Sequence, residues 1–157
     1  MLKHQWSNLS HLQIGQYCEY YTKMQLVLLG FDVYSAEVDD RGIDLVVRKE
    51  PGWYWDIQVK SVRNLNYVFM RKAVFRLRPN LVLALNLLRD GEAPDQFLIP
   101  ASCWLKPDDL FVDRDYTDKA SSPEYGLRLT EQRLDRLQPY TFEGSAEKIF
   151  SEDPSRV

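Results

Sequence analysis

The eight residues from Leu81 to Leu88, LVLALNLL, are apolar except for Asn86. A run of this length is far too short to span a bilayer. It has the length of a strand buried inside a fold, so the rest of the chain has to supply the layers around it. With 157 residues, 45% hydrophobic and 27% charged, there is enough chain for one domain with a real core and too little for two. Seven Gly, eight Pro and 13% aromatic residues exclude disordered, collagen-like and coiled-coil classes. The opening MLKHQWSNLSHL lacks the apolar stretch of a signal peptide, and the expectation is a soluble, cytoplasmic protein with no membrane partner. Cys18 and Cys103 show no CxxC spacing, which predicts two buried thiols rather than a disulfide or zinc framework.

Upstream of that strand, Leu9 to Leu29 hold no Pro and one Gly. Leu12, Cys18, Leu26 and Leu29 recur at roughly helical spacing, and Gly30 is a good terminator. A helix is expected from about residue 10 to 29. FDVYSA (31–36) and IDLVVR (43–48) read as short strands separated by turn residues 39–42. In YWDIQVKS (54–61), Trp55, Ile57 and Val59 alternate with Asp56, Gln58 and Lys60, the pattern of a strand with one buried face. YVFM (67–70) is a further strand candidate, 71–78 a short helix or irregular passage, and 96–99 a strand ended by Pro100. From Lys106 the chain turns acidic and loop-rich, with a helix expected at 130–137 and a frayed end over the last ten residues.

A net charge of −3 hides a segregated distribution. From Ile57 through Arg89 there is no Asp or Glu, while Lys60, Arg63, Arg71, Lys72, Arg76, Arg78 and Arg89 give seven positive charges and leave the remainder at −10. A basic section on an acidic chain is the footprint of a polyanion site when its charges cluster, and an ordinary solvated surface when they scatter.

Within this frame Glu19 lies in the first helix, Asp44 enters the second strand, and Gln58 and Lys60 share one face of the third. Oxygen ligands from adjacent strands suit a hard cation that polarises a phosphate and activates water. The ordered set GQYCEYY, Gly30-Phe31-Asp32-Val33, DDRGIDLVV and IQVKS resembles the PD-(D/E)XK nuclease superfamily. It looks most like the archaeal Holliday-junction resolvase branch, whose helical G-x-x-x-E pattern is matched by Gly15 and Glu19. YVFM, LVLALNLL and QFLIP resemble the later strands of that branch, so the resemblance covers roughly residues 10–100.

The resemblance implies an α/β, restriction-endonuclease-like core: an N-terminal helix followed by a mixed sheet with an antiparallel meander. Residues 1–105 would form this nuclease-like core and 106–157 an appendage packed on the same domain. It implies a Mg²⁺- or Mn²⁺-dependent endonuclease hydrolysing DNA, structure-directed or weakly sequence-specific, in repair, recombination or defence. Asp44, Gln58 and Glu19 would be metal ligands, Lys60 the electrostatic stabiliser, and Arg63, Arg71, Lys72, Arg76 and Arg78 the contacts to the DNA backbone. A homodimer, and a protein partner for the acidic C-terminal third, are further expectations.

Gln58 stands where the superfamily pattern has Asp or Glu, as in the Mrr-type restriction nucleases. An amide offers a metal its carbonyl oxygen but no negative charge, and Asp56 on the same face is a candidate to compensate. The alternative is a catalytically inactive nucleic-acid-binding or protein-interaction module on the same fold. In that case Glu19 pairs with Lys23 four residues on, and Lys60 blunts a strand edge. His4 and His11 are expected to be solvated, Trp53 and Trp55 to pack, and Ser61 to end a strand.

Overall fold

The computed structural model describes residues 2–38 and 41–156. Asp39 and Asp40 of the DDRGIDLVV segment, and with them part of the expected 39–42 turn, lie outside the described residues.

The first helix, α1 (His11–Leu28), starts at a capping box. The Ser10 hydroxyl accepts from Gln13 N (3.2 Å) while Gln13 Oε1 accepts from Ser10 N (2.9 Å). Gly30, at φ +86°, turns the chain out of the helix. The core-facing row differs from the expected one. Ile14, Cys18, Thr22 and Leu26 are buried, whereas Leu12 and Leu29 are exposed, because a ridge of fourth neighbours, rather than the scattered leucines, meets the sheet.

Strands β1 (Asp32–Ser35), β2 (Leu45–Arg48) and β3 (Tyr54–Arg63) form the antiparallel meander. Next in chain order come β4 (Tyr67–Arg71), β5 (Leu81–Leu88) and β6 (Asp95–Pro100). β5 runs parallel to β3, with Gln58 beside Leu83 and Lys60 beside Leu85, and β6 pairs antiparallel with β5. The sheet order is β1-β2-β3-β5-β6, so the mixed α/β architecture is present and LVLALNLL is buried along its whole length. Packing beneath α1 buries a polar cluster of Thr22, Asn86 and Gln96.

β4 leaves this sheet. It pairs with β8 (Glu124–Arg128), which pairs with β7 (Phe111–Arg114), giving a second sheet of order β4-β8-β7. Alternation in YVFM identifies a half-buried strand but carries no information about its partner. Residues 106–156 therefore interleave with the first part of the chain. Trp104, Leu110, Phe111, Leu127 and Leu137 join Val62, Met70, Phe75, Leu83 and Leu85 in one cluster. The expected helix at 130–137 is a 3-10 helix over Glu131–Tyr140, with Pro139 inside it. The sequence predicts no helix beyond residue 137, yet a second α-helix, α2 (Phe142–Phe150), forms, its last three residues falling within the ten expected to fray. Its Phe142, Ala146 and Phe150 lock onto Trp55 and Ile57 on the α1 side of the main sheet.

Candidate functional site

The site forms where β2 and β3 part. Their pairing runs from Arg48–Tyr54 to Leu45–Ile57 and ends there. Asp44, one residue before β2, donates its N–H to Ile57 O (3.0 Å), and its Oδ2 accepts from Val59 N at 2.6 Å. The carboxylate thus satisfies a strand N–H that the departing β2 no longer pairs, and it is fixed against the Gln58–Val59 backbone.

Alternation along β3 sorts the rest. Trp55 and Ile57 point to the helix side, where they pack with Leu26 and Phe142. Asp56, Gln58 and Lys60 point to the other side, where Leu83 and Leu85 join the second cluster. Gln58 is only 6% exposed, and its Oε1 has no hydrogen-bond partner among the described residues. Lys60 is half-buried and makes no hydrogen bond or ion pair among the described residues. β3 is the middle strand of five, so Lys60 guards no sheet edge.

Glu19 sits on α1, which packs on the opposite side of the sheet, toward Ser61. It does not pair with Lys23, whose ammonium lies over the Tyr20 ring at 5.5 Å. Burial and the neighbouring Glu19 carboxylate push the Cys18 thiol up to about 12, so this thiol stays neutral and is a packing group. Asp56 is committed elsewhere: its Oδ2 accepts from Arg78 Nη2 (2.6 Å) and Nε (3.2 Å). Among the described residues no group of three His, Cys, Asp or Glu side chains gathers in a geometry that could hold a metal ion.

The basic residues separate into three groups. Lys72 bridges Asp113 (2.5 Å) and Asp115 (2.6 Å) beside the Tyr125 ring; burial works against its charge, but the two carboxylates outweigh it and raise its pKa. Arg63 lines a small hollow with Trp6, Ser7 and Asp90. Arg76 and Arg78, joined by Arg41, line an open cleft of about 510 Å³ with Ile43, Ala73 and Val74. Arg71 is exposed, and Arg76 is exposed with its Nε donating to Ala73 O (3.2 Å). Cleft and site share a wall at Gly42 (φ +70°), where a Cβ would fall 2.9 Å from Val74 Cβ and 3.0 Å from Gln58 Nε2. Only glycine fits this close approach at positive φ. Arg41 and Gly42 carry no motif signal of their own, although they stand in DDRGIDLVV three and two residues before Asp44.

Of the remaining positions, Trp55 is core and Trp53 packs edge-on against it, while His11 is exposed and His4 stacks on Trp6. Among the described residues no helix is long and apolar enough to cross a membrane.

No family model matches the sequence, and neither does any curated protein. Solved structures do. One is Hjc, a Holliday junction resolvase from Archaeoglobus fulgidus, at 13% identity and TM-score 0.54, over 86% of this chain and 94% of that one. Another is the bacterial homing endonuclease I-Ssp6803I, at 16% identity and TM-score 0.56, over 94% of this chain and 96% of that one. The helix-plus-mixed-sheet architecture is therefore a fold that this chain shares over most of its length with a junction resolvase and a homing endonuclease.

Proposed function

We propose that the protein is a divalent-metal-dependent DNA endonuclease whose site is the fork between β2 and β3. The observation that carries this reading is the buried Gln58 Oε1 without a partner, on the same face as an unpaired Lys60 and one register step from the anchored Asp44. Leaving a buried carbonyl oxygen unmade costs on the order of 1–3 kcal/mol, a cost that folding alone gives no reason to keep. A hard cation with oxygen ligands removes it. The two fold neighbours are by name a Holliday junction resolvase and a homing endonuclease, which supports the same reaction class here.

Asp44 and Gln58 would hold Mg²⁺ or Mn²⁺, which when bound supplies Lewis acidity toward the phosphate and lowers the pKa of an attacking water. Asp44 is positioned for this by its bond to Val59 N. Lys60, which pairs with no carboxylate among the described residues, stabilises charge developing on the phosphate oxygens. With one carboxylate and one amide the affinity for the ion is low, so activity is expected at millimolar rather than micromolar Mg²⁺. Glu19, across the sheet, is assigned a role through water or by approach in the DNA-bound state. The Arg41–Arg76–Arg78 cleft takes the sugar-phosphate backbone next to the site, with Arg63 and Arg71 as more distant contacts. Lys72 and Arg78 contribute less, because Asp113 and Asp115 already neutralise the first and Asp56 the second. Backbone contacts of this kind position a duplex without reading its sequence, which favours structure-directed or weakly sequence-specific cleavage.

The test is nicking of supercoiled and branched DNA by the purified chain across Mg²⁺ and Mn²⁺ concentrations. Metal-dependent cleavage that is lost in Lys60→Ala is the expected result. DNA binding without cleavage in either metal would replace this reading with a non-catalytic binding module.

A further inference from the structure

We propose that the solvent face of the second sheet is a platform for single-stranded DNA, which makes a duplex carrying an unpaired flap the substrate of this chain. The choice of DNA rests on the nuclease reading, whereas the platform uses none of the residues between β2 and β3. Alternation along β4 sends Val68 and Met70 into the core and turns Tyr67, Phe69 and Arg71 to the other face. Directly opposed residues of neighbouring strands share a face. Arg128 stands beside Tyr67, Gly126 between Phe69 and Val112, and Glu124 between Arg71 and Arg114. The Tyr67 ring lies over Gly126, where a Cβ would fall 2.0 Å from its Oη, and its hydroxyl donates to Glu124 Oε1 (2.8 Å). The Arg114 guanidinium covers that ring at 4.6 Å and donates from Nη1 to the Tyr116 hydroxyl (3.2 Å), which itself donates to Glu124 Oε1 (2.9 Å). Ring and guanidinium are thus ordered before a ligand arrives, which lowers the cost of binding.

Charge and exposure select the occupant. Phe69, in the middle of the face, is 48% exposed. The Arg71 and Arg128 side chains, at opposite ends, make no hydrogen bond or ion pair among the described residues. The only carboxylate on these facing positions, Glu124, is buried under two tyrosine hydroxyls, and the nearby Asp113 and Asp115 are held by Lys72. An exposed aromatic ring set among unpaired arginines suits a polyanion whose bases are free to stack. A duplex keeps its base faces inside its own stack, and the core of a protein interface is depleted of charge. From Tyr67 to Arg71, β4 rises about 13 Å, room for about two stacked bases. Arg71 is two residues from Ala73, which lines the cleft with Arg41 and Arg76. At most ~7 Å of backbone therefore separates platform from cleft, and a strand peeled from a duplex in the cleft meets the platform at Arg71.

Fluorescence anisotropy of the full chain in EDTA, with a labelled oligothymidine and a blunt duplex, tests the proposal. The wild type should bind the oligothymidine. Phe69→Ala should weaken that binding about tenfold, and more than duplex binding, with unchanged circular dichroism. Phe69→Trp should restore it. Arg128→Ala should lower the slope of log affinity for the single strand against log salt by about 0.7. In Mg²⁺ the wild type should cut a duplex with a thymidine flap faster than the blunt one, and Phe69→Ala should narrow that ratio. No single-strand binding in EDTA, a Phe69→Ala loss equal on both DNAs, tighter binding of oligouridine, or equal cleavage of flapped and blunt duplexes would each overturn the proposal. Single-strand binding in EDTA with no cleavage in any metal supports the platform and overturns the nuclease reading alone.

Discussion

Two amides lie buried in the middle of the main sheet, Gln58 on β3 and Asn86 on β5, and they are satisfied very differently. Asn86, fully buried on the helix side, donates to the Thr22 hydroxyl (3.3 Å) and accepts from Gln96 (2.8 Å), which also donates to Thr22 (3.2 Å). This is a closed structural network, the ordinary fate of a buried polar group. Gln58, on the other face, keeps an oxygen that nothing among the described residues uses. The difference separates a polar group that holds the fold together from one held in readiness, and it is invisible to burial or residue type alone.

Substitutions at the two sites should therefore diverge. The largest effect belongs to the residues beside Gln58. Lys60→Ala and Asp44→Asn should each lower cleavage by on the order of 10²-fold or more, measured as single-turnover nicking, with melting temperature nearly unchanged. Asn is chosen at position 44 because it keeps an acceptor for Val59 N. A fall of many degrees in melting temperature would make Asp44 and Lys60 structural, like Asn86.

Asn86→Leu takes from the Thr22 hydroxyl one of its two donors and from the Gln96 amide one of its two acceptors, and should cost about 2 kcal/mol of stability in urea unfolding. That is on the order of 4–8 °C in melting temperature for a chain of this size. Cleavage per folded molecule should not change. Gln58→Met, of similar volume, removes the orphaned oxygen and should raise stability by about 1 kcal/mol while abolishing the Mg²⁺ response. A loss of stability there would mean that the Gln58 amide is satisfied in solution and is not waiting for an ion.

Charge at the same position gives a finer test. Gln58→Glu should shift half-maximal Mg²⁺ to about tenfold lower concentration through Coulomb attraction. Asp56→Asn, because Asp56 is held by Arg78, should leave the Mg²⁺ dependence in place. The opposite pattern would move the ligand role to Asp56. Smallest is Arg76→Ala, which should lower the slope of log affinity for DNA against log salt by about 1, with no effect on stability.

The alternation of YWDIQVKS puts Gln58 and Lys60 on one face and Trp55 and Ile57 on the other, and the structure keeps both sets where the period-two rule sends them. The helix boundaries were equally local, set by Ser10, Gln13 and Gly30, and the burial of LVLALNLL followed from its composition. Other features depended on chain far away. That Arg78 would quench Asp56, and that Asp113 and Asp115 would neutralise Lys72, required residues 22 and more than 40 positions apart to meet. The sorting of the basic stretch into spent and available charges was therefore not legible in its sequence.

Local rules speak for what the backbone does with its immediate neighbours, because helical and strand periodicities are properties of a few consecutive residues. The amino-acid sequence alone thus determined the first helix, the meander and the shared face of Gln58 and Lys60. Tertiary structure alone decided that β4 would leave for a sheet made with β7 and β8, that Phe142 to Phe150 would close the helix side of the core, and that Glu19 would lie across the sheet from Lys60. It also decided that Gln58 Oε1 would be left without a partner among the described residues, since hydrogen-bond satisfaction is settled by which distant groups arrive.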